Sequence, residues 1–368
     1  MWFERRIPWL AKHRAAALAL LALCAGLAHV EFFSYHRARG PAHLWEFYHY
    51  YVGTKYFPEL GYEGLYAATA LADFEDDRAR FRPGQPVRSL ETYELRPRQE
   101  VVLGAAPIRA RFTPERWAQF KHDVAIYRRA APVLWYAQVP RDHGYNGTPV
   151  TTALLGPLAR SVPLGPVAFM RVFSHADLLL LVAVAGTVGV MFGASVAWLG
   201  LFFFFVNPLN DYAFVGGAYF RYAYFASLAL AVASFVRGRF ATSGGLAALA
   251  GLLSLFPLAF VTTVALRDGI ATLRGRAHLP HRFYAALAGV LLLGMALGST
   301  QTTPAADNPW LAFARNLERH RGDVSLNQIG LPYLVLYSRA ENMTASAEAP
   351  GDTTWEQRAG ARLEARRG

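Results

Sequence analysis

The sequence predicts an all-α polytopic membrane protein with a large first extracytoplasmic loop containing interfacial helices. Three observations predict it. Hydrophobic residues make up 54% of the chain and charged residues 17%, against about 25% charged in an ordinary soluble domain. Most of the charges are segregated into residues 34–147 and 301–368. Between and before those stretches lie long apolar runs almost free of charge, as expected where the bilayer is the solvent.

The elements follow in order. Arg5, Arg6, Lys12 and Arg14 precede an apolar run through Phe33. The run is longer than a signal-peptide core, so it is expected to stay attached as a first span. The positive flank places the N-terminus in the cytoplasm. Residues 1–35 therefore form the N-terminus and first span. Residues 36–147 form the outer loop, 148–300 a multi-helix membrane domain, and 301–368 an outer C-terminal segment with a polar tail.

Inside the loop, His43–Glu59 reads as a helix whose many aromatic residues are expected at the lipid headgroup level. Gly61–Tyr66 reads as a turn into a short helix, Leu65–Ala79. Thr113-Pro114-Glu115 is a helix start, with Thr as N-cap and Pro at the first helical position. Apolar segments follow at 148–162, 166–189, 190–206, 218–236, 241–266 and 283–299. Arg237 and Arg239 precede segment 241–266, and Arg267, Arg274, Arg276 and Arg282 follow it. A hairpin broken at Phe256-Pro257 keeps both basic clusters on one side, as the positive-inside rule asks.

The formal net charge is +11, and three of the thirty-seven basic residues are lysines (Lys12, Lys55, Lys121). The arginines are scattered among acids instead of striping one element, so membrane lipids and no nucleic acid are the expected partners. Cys24 is the single cysteine, which excludes an intrachain disulfide and a cysteine-based metal cluster. The run Asp73, Glu75, Asp76, Asp77 reads as a solvated face. No metal site and no cofactor is expected.

Glu46, His49, Tyr50 and Gly53 fall at i, i+3, i+4 and i+7, which puts them on one face of a helix. The run Glu46-Phe-Tyr-His-Tyr-Tyr51-Val-Gly53, followed by Gly61-Tyr-Glu-Gly-Leu-Tyr66, resembles the first-loop pattern of polytopic glycosyltransferases of the C superfamily. It is most similar to family 87, the polyprenyl-phosphate-mannose-dependent mannosyltransferases. Tyr145-Asn146-Gly-Thr-Pro149, Leu155-Gly-Pro157-Leu158 and Val162-Pro163-Leu164 resemble a second block. Asn207-Pro208, Gly216-Gly217, and Gly244-Gly245 through Leu255-Phe256-Pro257 resemble a third. The pattern departs from the family at Glu46, where Asp is usual. It departs also at Gly217 and Ser254, where the family commonly has Gln and Lys.

The resemblance implies a glycosyltransferase-like helical bundle in the cytoplasmic (inner) membrane, its large loop facing outward. It implies inverting transfer of a sugar from a polyprenyl-phosphate donor to a hydroxyl acceptor whose identity is unknown, with Glu46 as base. Arg221, beside the membrane edge, is the expected phosphate ligand, since Arg offers a planar fork. His49, Tyr50, Asp142, His143 and Asn146 complete the expected substrate-binding set, and His320, Asn327 and Gly330 are candidate lid positions. Bland readings stay open beside these. Glu46 can be a solvated carboxylate, His49 part of an aromatic layer, and Asp142 or His143 a cap for the next helix. A catalytically inactive scaffold of the same fold and a small transporter are the competing functions. The absence of an acid within a span counts against the transporter.

Overall fold

The computed structural model describes residues 8–38, 40–162, 165–275 and 279–322. The described residues are mostly helical, at 73%. The principal helices are α1 (Pro8–His29), α2 (Leu65–Asp76), α3 (Pro114–Ala130), α4 (Pro149–Ser161), α5 (Pro166–Phe173), α6 (Ala176–Phe192), α7 (Ala194–Val206), α8 (Ala223–Val236), α9 (Phe240–Leu253), α10 (Leu258–Leu273), α11 (His281–Ser299) and α12 (Pro309–Gly322). A two-stranded antiparallel ribbon, β1 (Pro86–Arg88) with β2 (Leu95–Pro97), pairs Val87 with Arg96. The chain divides into two compact units, residues 1–55 with 147–301, and residues 56–146 with 302–368.

The first unit is a bundle of apolar helices. α8, α9, α10 and α11 share a core of Ala231, Ala247, Ala248, Val264, Phe283 and Leu287. Small residues let these backbones approach closely. A Cβ on Gly244 would lie 2.1 Å from the Phe283 carbonyl oxygen, and one on Gly294 would lie 2.3 Å from a Leu252 methyl. α9 and α10 form the hairpin expected from the basic flanks. The chain breaks between Leu253 and Leu258, around Pro257, and Val264 returns beside Ala247 and Ala248. Arg282 then lies over the ring of Phe240 at the opposite end of the hairpin from Pro257.

Two helices among the described residues are long and apolar enough to cross a bilayer, Pro166–Phe192 (α5 running on into α6) and His281–Ser299. The remaining apolar segments are shorter than the sequence suggests because identifiable residues interrupt them. Gly193 takes φ +95° and separates α6 from α7, and Pro257 separates α9 from α10. A 14-residue helix such as α9 spans only about 21 Å at 1.5 Å per residue, against a hydrocarbon core of about 30 Å. Leu179, Val190, Leu292 and Leu293 stand exposed on the two long helices, and Cys24 is exposed on α1.

The second unit has its own core of Tyr56, Phe57, Phe120, Val124, Tyr127 and Trp135. α3 starts as the sequence indicates, Thr113 Oγ1 accepting from the Arg116 N–H at 3.2 Å. Asp73 does not lie on a solvated face. It is 1% exposed and accepts hydrogen bonds from Arg128 at 2.7 Å, Trp135 Nε1 at 2.9 Å and Arg98 at 3.5 Å. A carboxylate buried so deeply persists because two guanidiniums and an indole replace its water. Glu75 and Asp76 pair with Lys121 at 3.2 and 2.9 Å. Asn327, Gly330 and the polar tail lie outside the described residues.

Candidate functional site: an acid–arginine pair in the first unit

The site grows from the segment after α1. His43 opens a helical turn, its Nδ1 accepting from the Glu46 N–H at 3.2 Å. The next turn, Phe47–Val52, is π-helical, and the Gly53 N–H reaches back to the carbonyls of His49 and Tyr50. Such single wide turns are rare and recur at functional sites. The extra residue shifts the helical phase, so Glu46, His49, Tyr50 and Gly53 do not form the single polar face expected from α-helical spacing. Glu46 keeps a partly exposed carboxylate. His49 turns inward, 3% exposed, and donates from Nδ1 to the Trp45 carbonyl at 2.8 Å. The Tyr50 carbonyl accepts from Thr54 Oγ1 at 2.6 Å.

Several aromatics of this segment pack inside the protein instead of facing outward. Phe47, Tyr48 and Tyr51 are fully buried. Phe47 packs on Tyr219 with ring centroids 5.7 Å apart, and Tyr51 packs on Phe169 at 4.7 Å. Each large ring gains most by leaving solvent altogether, and partners from α5 and from the segment before α8 make that possible.

A second segment, Gly216–Tyr222, runs against the first. The Gly217 carbonyl accepts from the His43 N–H at 2.9 Å, and Tyr212 OH donates to the Pro41 carbonyl at 3.2 Å. Gly217 sits at φ +66°, and a Cβ there would lie 1.8 Å from the Pro41 oxygen. No side chain fits, so glycine is required at 217 by how closely the two segments approach. Four residues on, Arg221 Nη1 lies 2.8 Å from Glu46 Oε1, the two side chains 35% and 19% exposed.

A third charged group, Asp177, joins from the first turn of α6. It is 1% exposed. Its Oδ1 accepts from the Tyr222 N–H at 2.9 Å, while its buried Oδ2 has no hydrogen-bond partner. Asp177 thus ties down the residue beside Arg221 and adds a second carboxylate to the field at the guanidinium. The expectation that no acid is buried within a span is corrected here, because Asp177 lies in the Pro166–Phe192 helix. An acid in so apolar a helix is itself a signal of function, legible in the sequence once that run is read as one helix. His43 also joins the site. Burial, then the neighbouring His36 and Arg221, push its imidazole down to about 3. It therefore stays neutral and adds no second cation beside Arg221.

Asp142, His143 and Asn146 belong to the other compact unit. His143 Nδ1 lies 3.3 Å from Asp142 Oδ1, and its ring packs edge-on against Tyr93 and His320. Neither Asp142 nor His143 caps the following helix. Thr148 does so, its Oγ1 accepting from the Thr151 N–H at 3.1 Å. Among the described residues no three His, Cys, Asp or Glu side chains gather as a metal-holding group. The chain matches no family model, no curated protein and no solved structure.

Proposed function

We propose that the protein is a membrane glycosyltransferase that moves a sugar from a polyprenyl-phosphate donor to a hydroxyl acceptor with inversion. The observation that carries this reading is the Glu46–Arg221 pair, an acid and a phosphate-binding cation meeting across 175 positions of sequence. A phosphate entering the site takes the guanidinium fork with two charge-assisted hydrogen bonds and releases Glu46. The freed carboxylate accepts the proton of the attacking hydroxyl. The oxygen bonds to the anomeric carbon from the face opposite the phosphate, the carbon–oxygen bond to the phosphate breaks, and Arg221 steadies the charge on the departing lipid phosphate. The exposed apolar side chains on the two long helices support a bilayer location, since contiguous apolar surface commonly marks membrane contact.

The test is release of free polyprenyl phosphate by the purified protein in detergent, with a panel of polyprenyl-phosphate sugars and simple alcohol acceptors. Wild type and Glu46→Gln run side by side. Turnover by wild type alone supports both the activity and the base. Equal turnover removes Glu46 from that role. Asp177 favours a second reading, a transporter, because buried carboxylates in apolar helices commonly serve ion or proton pathways. Sugar-lipid or ion flux in sealed vesicles, without bond cleavage, would decide for it.

A further inference from the structure

The second unit carries a half-open cavity of about 70 Å³ between the turn at Leu60–Glu63, Arg111, and one face of α12 with the loop before it. Its walls are strongly charged. Arg315 and Arg319, four residues apart and so on one helix face, line it together with Arg111, Glu63 and Asp307. Both carboxylates are already engaged. Arg319 Nη1 lies 2.6 Å from Glu63 Oε1, and Arg315 pairs with Asp307. Thr303 Oγ1 donates to Asp307 at 2.7 Å. That bond, with Arg315 beside it, holds the Asp307 carboxyl below the usual carboxylate range, so the acid does not give up its charge near neutral pH.

Arg111 is different. Its guanidinium is exposed and makes one long hydrogen bond, 3.4 Å, to the Glu59 carbonyl. The Glu59 carboxylate is occupied by Arg116 at 2.7 Å. The lining therefore carries three guanidiniums against two carboxylates, with the surplus positive charge on Arg111. Like charges crowded on one helix face are held there at a cost, and a cavity that gathers three of them is complementary to an anion. At roughly 10–15 Å³ for each water-sized site, the pocket holds about five to seven waters, enough for a tetrahedral oxyanion. Gly61, at φ +57°, lets Pro304 pack closely against one wall, its Cβ position lying 3.0 Å from Pro304 Cδ.

We infer that this cavity binds a phosphate group, free or as the headgroup of a lipid, with Arg111 as its principal ligand and Arg315 and Arg319 flanking it. All the residues involved lie in the second unit, so the inference stands apart from the Glu46–Arg221 site.

The full chain, purified in detergent, is titrated calorimetrically with inorganic phosphate at constant ionic strength. A second arm uses mixed micelles containing phosphatidate or phosphatidylcholine. R111Q is compared with R129Q, which removes an exposed arginine of α3 outside the cavity. The expected result is saturable phosphate binding weakened about 10-fold or more by R111Q and unchanged by R129Q, the loss of one hydrogen-bonded charge. Arg111-dependent binding of phosphatidate without binding of free phosphate assigns the site to a lipid headgroup. R111K, which keeps the charge and loses the fork, gives the same direction of change should R111Q fail to fold. Non-saturable heats with both probes overturn the inference. So does R111Q binding as tightly as wild type.

Discussion

Arg221 Nη1 lies 2.8 Å from Glu46 Oε1, and the backbone N–H of the next residue, Tyr222, is held by the buried carboxylate of Asp177. Two acids thus bracket one guanidinium, one contacting it directly and one fixing the chain that carries it. The pair is half-buried, so its attraction exceeds that of an exposed ion pair. A double-mutant cycle of Glu46→Gln and Arg221→Gln, read by thermal unfolding in detergent, is expected to give a coupling of about 1–2 kcal/mol. A coupling near zero would show the contact to be energetically idle.

Arg221→Lys keeps the positive charge and loses the planar fork. If Arg221 grips a phosphate in two places, turnover of a polyprenyl-phosphate sugar falls about 10-fold or more, mainly through KM. An unchanged KM would mean that a point charge suffices.

Gly217 combines φ +66° with a Cβ position 1.8 Å from the Pro41 oxygen. Gly217→Ala is expected to lower stability by about 3 kcal/mol, from backbone strain and overpacking together. Gly186, with nothing within 4 Å of its Cβ position, is the control, and Gly186→Ala should change stability by no more than about 1 kcal/mol. Equal effects from the two substitutions would contradict the close approach of residues 41–43 to Gly217.

His43 titrates at about 3 in the folded protein, against an ordinary value of 6.5. The unfolded chain therefore binds the extra proton between those values. The stability linked to His43 is complete above pH 6.5 and declines as pH falls towards 3. At pH 5 the loss reaches up to about 2 kcal/mol. His43→Asn keeps a capping acceptor for the Glu46 N–H and cannot titrate, so its unfolding midpoint should fall less between pH 7.5 and pH 5 than that of wild type. Parallel pH profiles would remove His43 as the cause.

Asp73→Asn leaves Arg98 and Arg128 without their shared carboxylate in the core of the second unit. Uncompensated buried charge is costly. The variant is expected to lose about 3 kcal/mol or more, measured by denaturant unfolding followed through Trp117 and Trp135 fluorescence. A loss under about 1 kcal/mol would show that water reaches the two guanidiniums readily.

The sequence by itself determined what depends on neighbours a few residues apart. The cap at Thr113, the break at Pro257 and the apolar runs along α1 and α5–α11 follow from short-range sterics, hydrogen bonding and hydropathy, and helices form along those runs, cut at Gly193 and Pro257. Glu46 and Arg221 were each legible as candidates, one by its place in a motif and the other by a charge beside an apolar run. What only the tertiary structure decided is which groups meet and which lose their water. The π-helical turn at Phe47–Val52 moved His49 off the face that α-helical spacing assigns to it. Packing buried Phe47 and Tyr51 against Tyr219 and Phe169, drew Asp73 into an ion network, and set Asp177 behind Arg221. The Gly217 contact with Pro41 shows the physical reason. Burial and charge pairing are fixed by segments far apart in the chain, and no periodicity within one segment carries that information.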